Sequence, residues 1–183
     1  MIQRVIKGEN SYIVGYHTQE FRSMDDPLTG PIKCTTNEAW LGFGYYFWTH
    51  IEFAHYWGQD SKTRTGQYDI YKANINESNL LNATFSEDGY FFFKNTIDKV
   101  IESFKNKGLK VTLAAVQRYL VDEFWPQSGV DGIIYDDLPK KIETNGRTYS
   151  VIPPLFYKKR IQIVVFNVKK IINFEIEEEA KSC

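Results

Sequence analysis

The sequence predicts an α+β fold, and three observations carry the prediction. Segments rich in β-branched and aromatic residues occur near both ends of the chain. Two stretches with helical spacing of apolar residues lie between them. Strands and helices do not alternate in a regular βαβ series, and no glycine-rich turn joins a strand to a helix, which excludes a Rossmann fold and a P-loop. The 183 residues fit one domain spanning 1–183, since no repeat, low-complexity tract or Gly/Ser/Pro linker divides them. An apolar fraction of 43% and a charged fraction of 25% exclude a mainly disordered or collagen-like chain. Aromatic residues reach 16%, so rings build the core and are available to line a pocket for a flat ligand.

The elements follow in chain order. Ser11 to His17 (SYIVGYH) reads as a strand. Residues 18–41, with Pro27, Gly30 and Pro31, read as a long loop, a feature that is often functional. Gly42 to Trp48 (GFGYYFW) reads as a glycine turn running into a short strand. Thr49-x-x-Glu52 has the capping-box pattern and opens a short helix, Ile51 to Trp57, before Gly58. Tyr68 to Ile75 alternates as a strand does. Ile97, Val100, Ile101 and Phe104 have helical spacing, with Gly108 as the stop. Leu113, Val116, Leu120 and Phe124 predict a second helix after Thr112, ended by Pro126. Val130 to Tyr135 reads as a strand, Leu138 to Arg160 as a second long loop, and Ile161 to Phe166 and Ile171 to Ile176 as two more strands.

No apolar run approaches the ~18 residues of a membrane span, and no basic stretch followed by an apolar one marks a signal peptide. Cys34 and Cys183 are far apart, which predicts no disulfide framework and a cytoplasmic setting without membrane partners. The net charge of −1 hides an asymmetry: residues 1–90 carry 7 basic and 11 acidic side chains, residues 91–183 carry 15 and 12.

Four segments are candidates for chemistry. His17 ends a strand; taken alone it also reads as a buried histidine with one backbone partner. In Gly42-Phe43-Gly44-Tyr45-Tyr46-Phe47-Trp48 two glycines allow close backbone approach, and adjacent tyrosines point to opposite faces. The same segment also reads as a hairpin beside an aromatic core. Phe53 to Trp57 fits core packing. His50 and His55 are five apart, about 140° round a helix, and no Cys or carboxylate cluster supports them, so no metal is expected. Gln162 lies inside an apolar strand, where it either sits at an exposed start or points into a site.

Taken in order, these segments resemble the ADP-ribosyltransferase family of the His-Tyr-Glu type, shared by diphtheria-toxin-like and poly(ADP-ribose)-polymerase-like enzymes. The matching residues are His17 followed by Thr18, then Gly42-Phe43-Gly44-Tyr45-Tyr46-Phe47, then Ala54-His55-Tyr56, then Gln162 before Ile163-Val164-Val165-Phe166. Asp131-Gly132-Ile133-Ile134-Tyr135 is similar to a core strand of bacterial relatives. The resemblance spans residues 11 to about 172. It implies two small sheets forming a cleft for NAD⁺ as substrate, with short peripheral helices. His17 would bond the adenosine ribose. Backbone groups at Thr18, with Gly44 and Tyr45 nearby, would hold the nicotinamide end. Tyr46 and Tyr56 would sandwich the nicotinamide ring. Gln162, with Tyr46 and His17, would form the catalytic set. A hydrogen bond from the strand residue to the ribose 2-OH strengthens as oxocarbenium character develops.

Two positions depart from the family pattern: Thr18 stands where Gly is usual and Gln162 where Glu is usual. An amide orients a ribose but is no general base at neutral pH. Single transfer is therefore expected rather than polymer elongation. The resemblance implies an intracellular toxin or defence effector, with a macromolecular acceptor and an antitoxin protein as partners. The alternatives are an NAD glycohydrolase and a non-catalytic NAD- or nucleic-acid-binding module. For the acceptor, Leu138 to Arg160 carries Lys140, Lys141, Arg147, Lys158, Lys159 and Arg160 against Glu143, with Tyr149, Phe156 and Tyr157 among them. Charge interleaved with rings suits single-stranded nucleic acid slightly better than an acidic protein surface, with Lys158, Lys159 and Arg160 as contacts. A solvated loop has the same composition.

Overall fold

In the computed structural model, which describes residues 2–23, 25–62, 64–137 and 159–182, eight strands hydrogen-bond into one sheet. The strands are β1 (Arg4–Lys7), β2 (Asn10–Glu20), β3 (Tyr45–Trp48), β4 (Gln67–Asn76), β5 (Leu80–Asn82), β6 (Gly132–Asp136), β7 (Ile161–Val165) and β8 (Ile171–Ser182). Their order is β5-β6-β7-β3-β2-β4-β8, with β1 on β2. Only β5 and β6 run parallel. The helices are α1 (Ile51–Ser61), α2 (Glu87–Asn106), α3 (Leu113–Tyr119) and α4 (Trp125–Gln127). Among the described residues no helix is long and apolar enough to cross a membrane.

Where the sequence predicts two sheets, the strands form one path that narrows to a single register pair. β2 and β3 meet only at Tyr16 and Trp48, whereas β2 and β4 pair over nine positions, from Tyr12–Asn76 to Glu20–Tyr68. The sheet is thus two halves, β1-β2-β4-β8 and β5-β6-β7-β3, joined at one rung.

Side-chain alternation assigns the cores. On β7, Ile161, Ile163 and Val165 pack with Ile13, Phe47, Ile75 and Ile134 on one face. Val164 turns to the other face, against Leu41, Val116, Leu120 and Trp125 beneath α2 and α3. A third cluster, Trp48, Phe53, Ala54, Tyr68 and Ile70, seats α1 on the sheet. Burying five consecutive residues of β7 explains why this strand is nearly all apolar.

Several sequence expectations are corrected. β2 runs three residues past His17, so Thr18 and Glu20 belong to a strand and not to a loop. The capping box does not form: His50 is the N-cap, and the Thr49 hydroxyl instead donates to the Ile161 carbonyl. The predicted second helix passes into a π-turn, Leu120–Phe124, in which the Trp125 N–H reaches back to the Leu120 carbonyl. Pro126 therefore sits in the first turn of α4, where a missing N–H is harmless, and helix continues to Gln127. Thr112, placed just before the second helix by the sequence, does cap it, its Oγ1 accepting from the Ala115 N–H, and α2 has a cap not predicted from the sequence, Ser86 Oγ accepting from the Gly89 N–H. Of the predicted loop from Leu138 to Arg160, only Lys159 and Arg160 lie within the described residues.

Candidate functional site

The three strands that carry His17, Tyr46 and Gln162 are neighbours: β2, β3 and β7. Backbone direction at the seam follows from two bonds. The Phe21 N–H donates to the Gln67 carbonyl, so odd-numbered residues of β2 bond β4 and even-numbered ones face β3. The Thr49 N–H donates to the Ile161 carbonyl, so odd-numbered residues of β3 bond β7 and even-numbered ones face β2. Beyond the Tyr16–Trp48 rung the strands part. The N–H and C=O of Thr18 and of Tyr46 are therefore directed into one gap.

His17 closes part of that gap. Its Nδ1 donates to the Tyr46 carbonyl at 2.9 Å, which leaves Nε2 as a lone-pair acceptor. The residue is only 6% exposed, and burial, reinforced by the nearby Lys62 ammonium, pushes its pKa down to about 4 in spite of that bond. His17 is thus neutral near pH 7. Its ring packs against Phe47 and Phe174, and Tyr71 stacks on Phe174 at 4.8 Å. Thr18 is fixed by its hydroxyl, which donates to the Ala54 carbonyl of α1 at 2.8 Å.

Gln162 leaves the sheet on the other side. It pairs with Trp48 on β3 and with Tyr135 on β6, so it shares their face and that of Tyr46. It too is 6% exposed, and its Oε1 has no hydrogen-bond partner. Of the five buried side-chain polar atoms without a partner among the described residues, two are His17 Nε2 and Gln162 Oε1. Buried acceptors are normally satisfied, so unpaired ones mark places where a ligand or water belongs. The structure brings both residues to the strands that border β3 but turns their side chains to opposite faces. Tyr46 links them, its carbonyl bonded to His17 and its side chain on the face of Gln162.

The tyrosines differ. Tyr46 packs against the helix-side core and donates its hydroxyl to the Gly42 carbonyl at 2.7 Å, and burial raises its pKa. Tyr56, on α1, is 46% exposed, touches the Phe53 ring and donates to Glu52. Tyr45 faces the opposite core. The glycines serve the protein's own packing: a Cβ on Gly44 would lie 2.5 Å from Val164 Cγ2, and Gly42 has φ +95°. Both backbone polar groups of Gly44 are taken by Cys34.

Of the predicted acceptor residues, Lys158 lies outside the described residues. Lys159 pairs with Asp136 at 3.5 Å. Arg160 pairs with Asp137 at 3.1 Å and lies over the rings of Trp48 and Phe53. Two carboxylates at the end of β6 thus offset these two cations. Sequence reasoning missed this pairing and the Lys62 neighbourhood of His17. The Asp136-Asp137 dipeptide opening the loop was the available signal for the first; nothing local marks the second. Among the described residues no three His, Cys, Asp or Glu side chains converge as metal ligands.

Fold and site together define an α+β protein whose sheet parts at one seam, with two unpaired buried acceptors beside it. The chain matches no family model, no curated protein and no solved structure.

Proposed function

We propose that the chain is a mono-ADP-ribosyltransferase of the His-Tyr-Glu type, which moves one ADP-ribose unit from NAD⁺ to a macromolecule. The observation that carries this reading is the seam: backbone groups of Thr18 and Tyr46 turned into one gap, which His17 closes only in part, flanked by the free acceptors of His17 and Gln162. A ribose hydroxyl donates to His17 Nε2, and the carboxamide of nicotinamide meets the Thr18 backbone. His17 and Gln162 do not line one face as the resemblance implies, so in this reading the dinucleotide has to cross the seam to reach both.

Gln162 Oε1 accepts the 2-OH of the nicotinamide ribose. The C1–N bond breaks, its electron pair leaves with neutral nicotinamide, and the bond from the 2-OH strengthens as positive charge builds on the ribose. The acceptor nucleophile then bonds C1 and gives up its proton to solvent, since an amide does not take it. Tyr56 is exposed enough to close on the ring from α1, with cation–π attraction of about 0.5–2 kcal/mol.

One observation favours a second reading. Lys159 and Arg160 are already ion-paired, which weakens the case for them as an acceptor site and leaves water as the alternative nucleophile, giving an NAD glycohydrolase. NAD⁺ labelled in its adenylate part, incubated with the protein and cell extract and then digested with nuclease or protease, separates the readings. Release of nicotinamide with nuclease-sensitive label in macromolecules is expected. Release without macromolecular label points to hydrolysis, and no release at all removes the enzyme reading. In the transferase reading the chain acts in the cytoplasm as a toxin or defence effector held in check by an antitoxin protein.

A further inference from the structure

We infer that the trough along the outer face of α2 binds single-stranded nucleic acid. The inference deepens the transferase reading by naming its acceptor class, and it rests on that reading only for the chemistry that follows binding. Two adjoining hollows of about 350 and 300 Å³ share Lys99 and Ser103 as walls. The first is bordered by the rings of Phe92, Tyr119 and Phe124, the second by Lys107 and by one carboxylate, Glu102. From Phe92 to Lys107 the helix face is about 22 Å long. One end of the trough is therefore aromatic and the other cationic.

The cations gather toward one end of it, while Glu87, Asp88 and Asp98 lie toward the start of α2 and Asp122 and Glu123 beyond Tyr119. Residues 99–118 hold Lys99, Lys105, Lys107, Lys110 and Arg118 against Glu102 alone. None of the four lysines forms an ion pair with a described residue, in contrast to Lys159 and Arg160. The rings are exposed although they are large: Phe92 and Tyr119 remain open to solvent. Exposed rings beside unpaired cations suit a ligand with flat apolar faces strung on a polyanion, which is the chemistry of an unpaired nucleic-acid strand.

The helix that carries the trough also packs toward the candidate site. Phe93, next to Phe92, turns inward onto Tyr135, the ladder partner of Gln162. Lys159 lies over the exposed Phe85 ring at 5.4 Å. Lys159 is three residues before Gln162 in the chain.

The test measures binding of a fluorescent single-stranded oligonucleotide without NAD⁺, across a salt series. The double variant Lys99→Glu/Lys107→Glu should lower affinity at least about tenfold and reduce the slope of log affinity against log salt by about 1.4, since each lost phosphate contact on a single strand removes about 0.7. Phe92→Ala, an exposed position, should weaken binding while leaving that slope unchanged. The same charge reversals at Lys7 and Lys33 should have a smaller effect. Thermal melts establish that each variant is folded. Four results would overturn the inference: no binding by the wild type at low salt, equal binding by the double variant, equal displacement of the oligonucleotide by polyglutamate, or self-association through α2 that the oligonucleotide does not disperse. Nicotinamide release is assayed separately without oligonucleotide, so loss of the transferase reading and loss of the binding surface give different results.

Discussion

His17 and Tyr46 are tied across the seam, imidazole Nδ1 to backbone carbonyl at 2.9 Å. The bond fixes the tautomer of a histidine that is neutral because it is buried, with a pKa near 4. Between that value and the ordinary 6.5 the unfolded chain binds a proton that the folded chain does not. The stabilising contribution is therefore complete above about pH 6.5 and is lost as pH falls toward 4, amounting to ~3 kcal/mol. Urea midpoints measured across this window should fall, and His17→Gln should flatten the fall. An identical pH profile in the variant would show that other groups are responsible.

Gln162→Ala should lower the rate of nicotinamide release by about 100-fold, the scale of losing one hydrogen bond that is used mainly in the transition state. Affinity for NAD⁺ should change far less. Single-turnover rates and equilibrium titration of the same folded variant separate the two, and an unchanged rate removes Gln162 from the chemistry.

Tyr46 and Tyr56 should respond differently to loss of the hydroxyl. Tyr46→Phe leaves the Gly42 carbonyl without its donor, so it should cost about 1–3 kcal/mol of stability. Tyr56→Phe breaks only an exposed bond to Glu52 and should leave the melting temperature nearly unchanged. If the Tyr56 ring stacks on nicotinamide as proposed, Tyr56→Ala should weaken NAD⁺ binding more than Tyr56→Phe. Calorimetric melts and titrations check both statements.

Gly44→Ala should destabilise by about 1–3 kcal/mol, because the new Cβ meets Val164 Cγ2 at 2.5 Å and the Val165 carbonyl at 2.9 Å. Gly30→Ala has open space around it and should be close to neutral. Equal effects at the two positions would refute the tight β3–β7 contact.

The strands of the site were legible because they are short blocks of β-branched and aromatic residues, Tyr12 to His17, Tyr45 to Trp48 and Ile161 to Val165. β1 and β5 were not. Arg4 to Lys7 is largely exposed, and Leu80 to Asn82 is too short to show a period. The role of Thr49 was misread because its hydroxyl had a choice between a local N–H and a carbonyl more than a hundred residues away, and only tertiary structure decides that. The candidate residues were named in order from their spacing, but which face each one takes depends on the register of three ladders. That is why the opposite orientation of His17 and Gln162 was invisible beforehand.

The position of β7 has a consequence for synthesis. It lies between β6 and β3 although it is made after both, and Phe47 waits for Ile163 as its ladder partner. Until the ribosome has delivered residues 161–165, β3 and β6 each lack a neighbour and the half-sheet they belong to has no centre. A nascent chain stopped before that point carries His17, Thr18 and both tyrosines yet has nothing to align them. Pairings of such long sequence separation also form slowly, so any activity of this protein should rise only after residues 161–165 have left the ribosome, with a lag set by docking of β7.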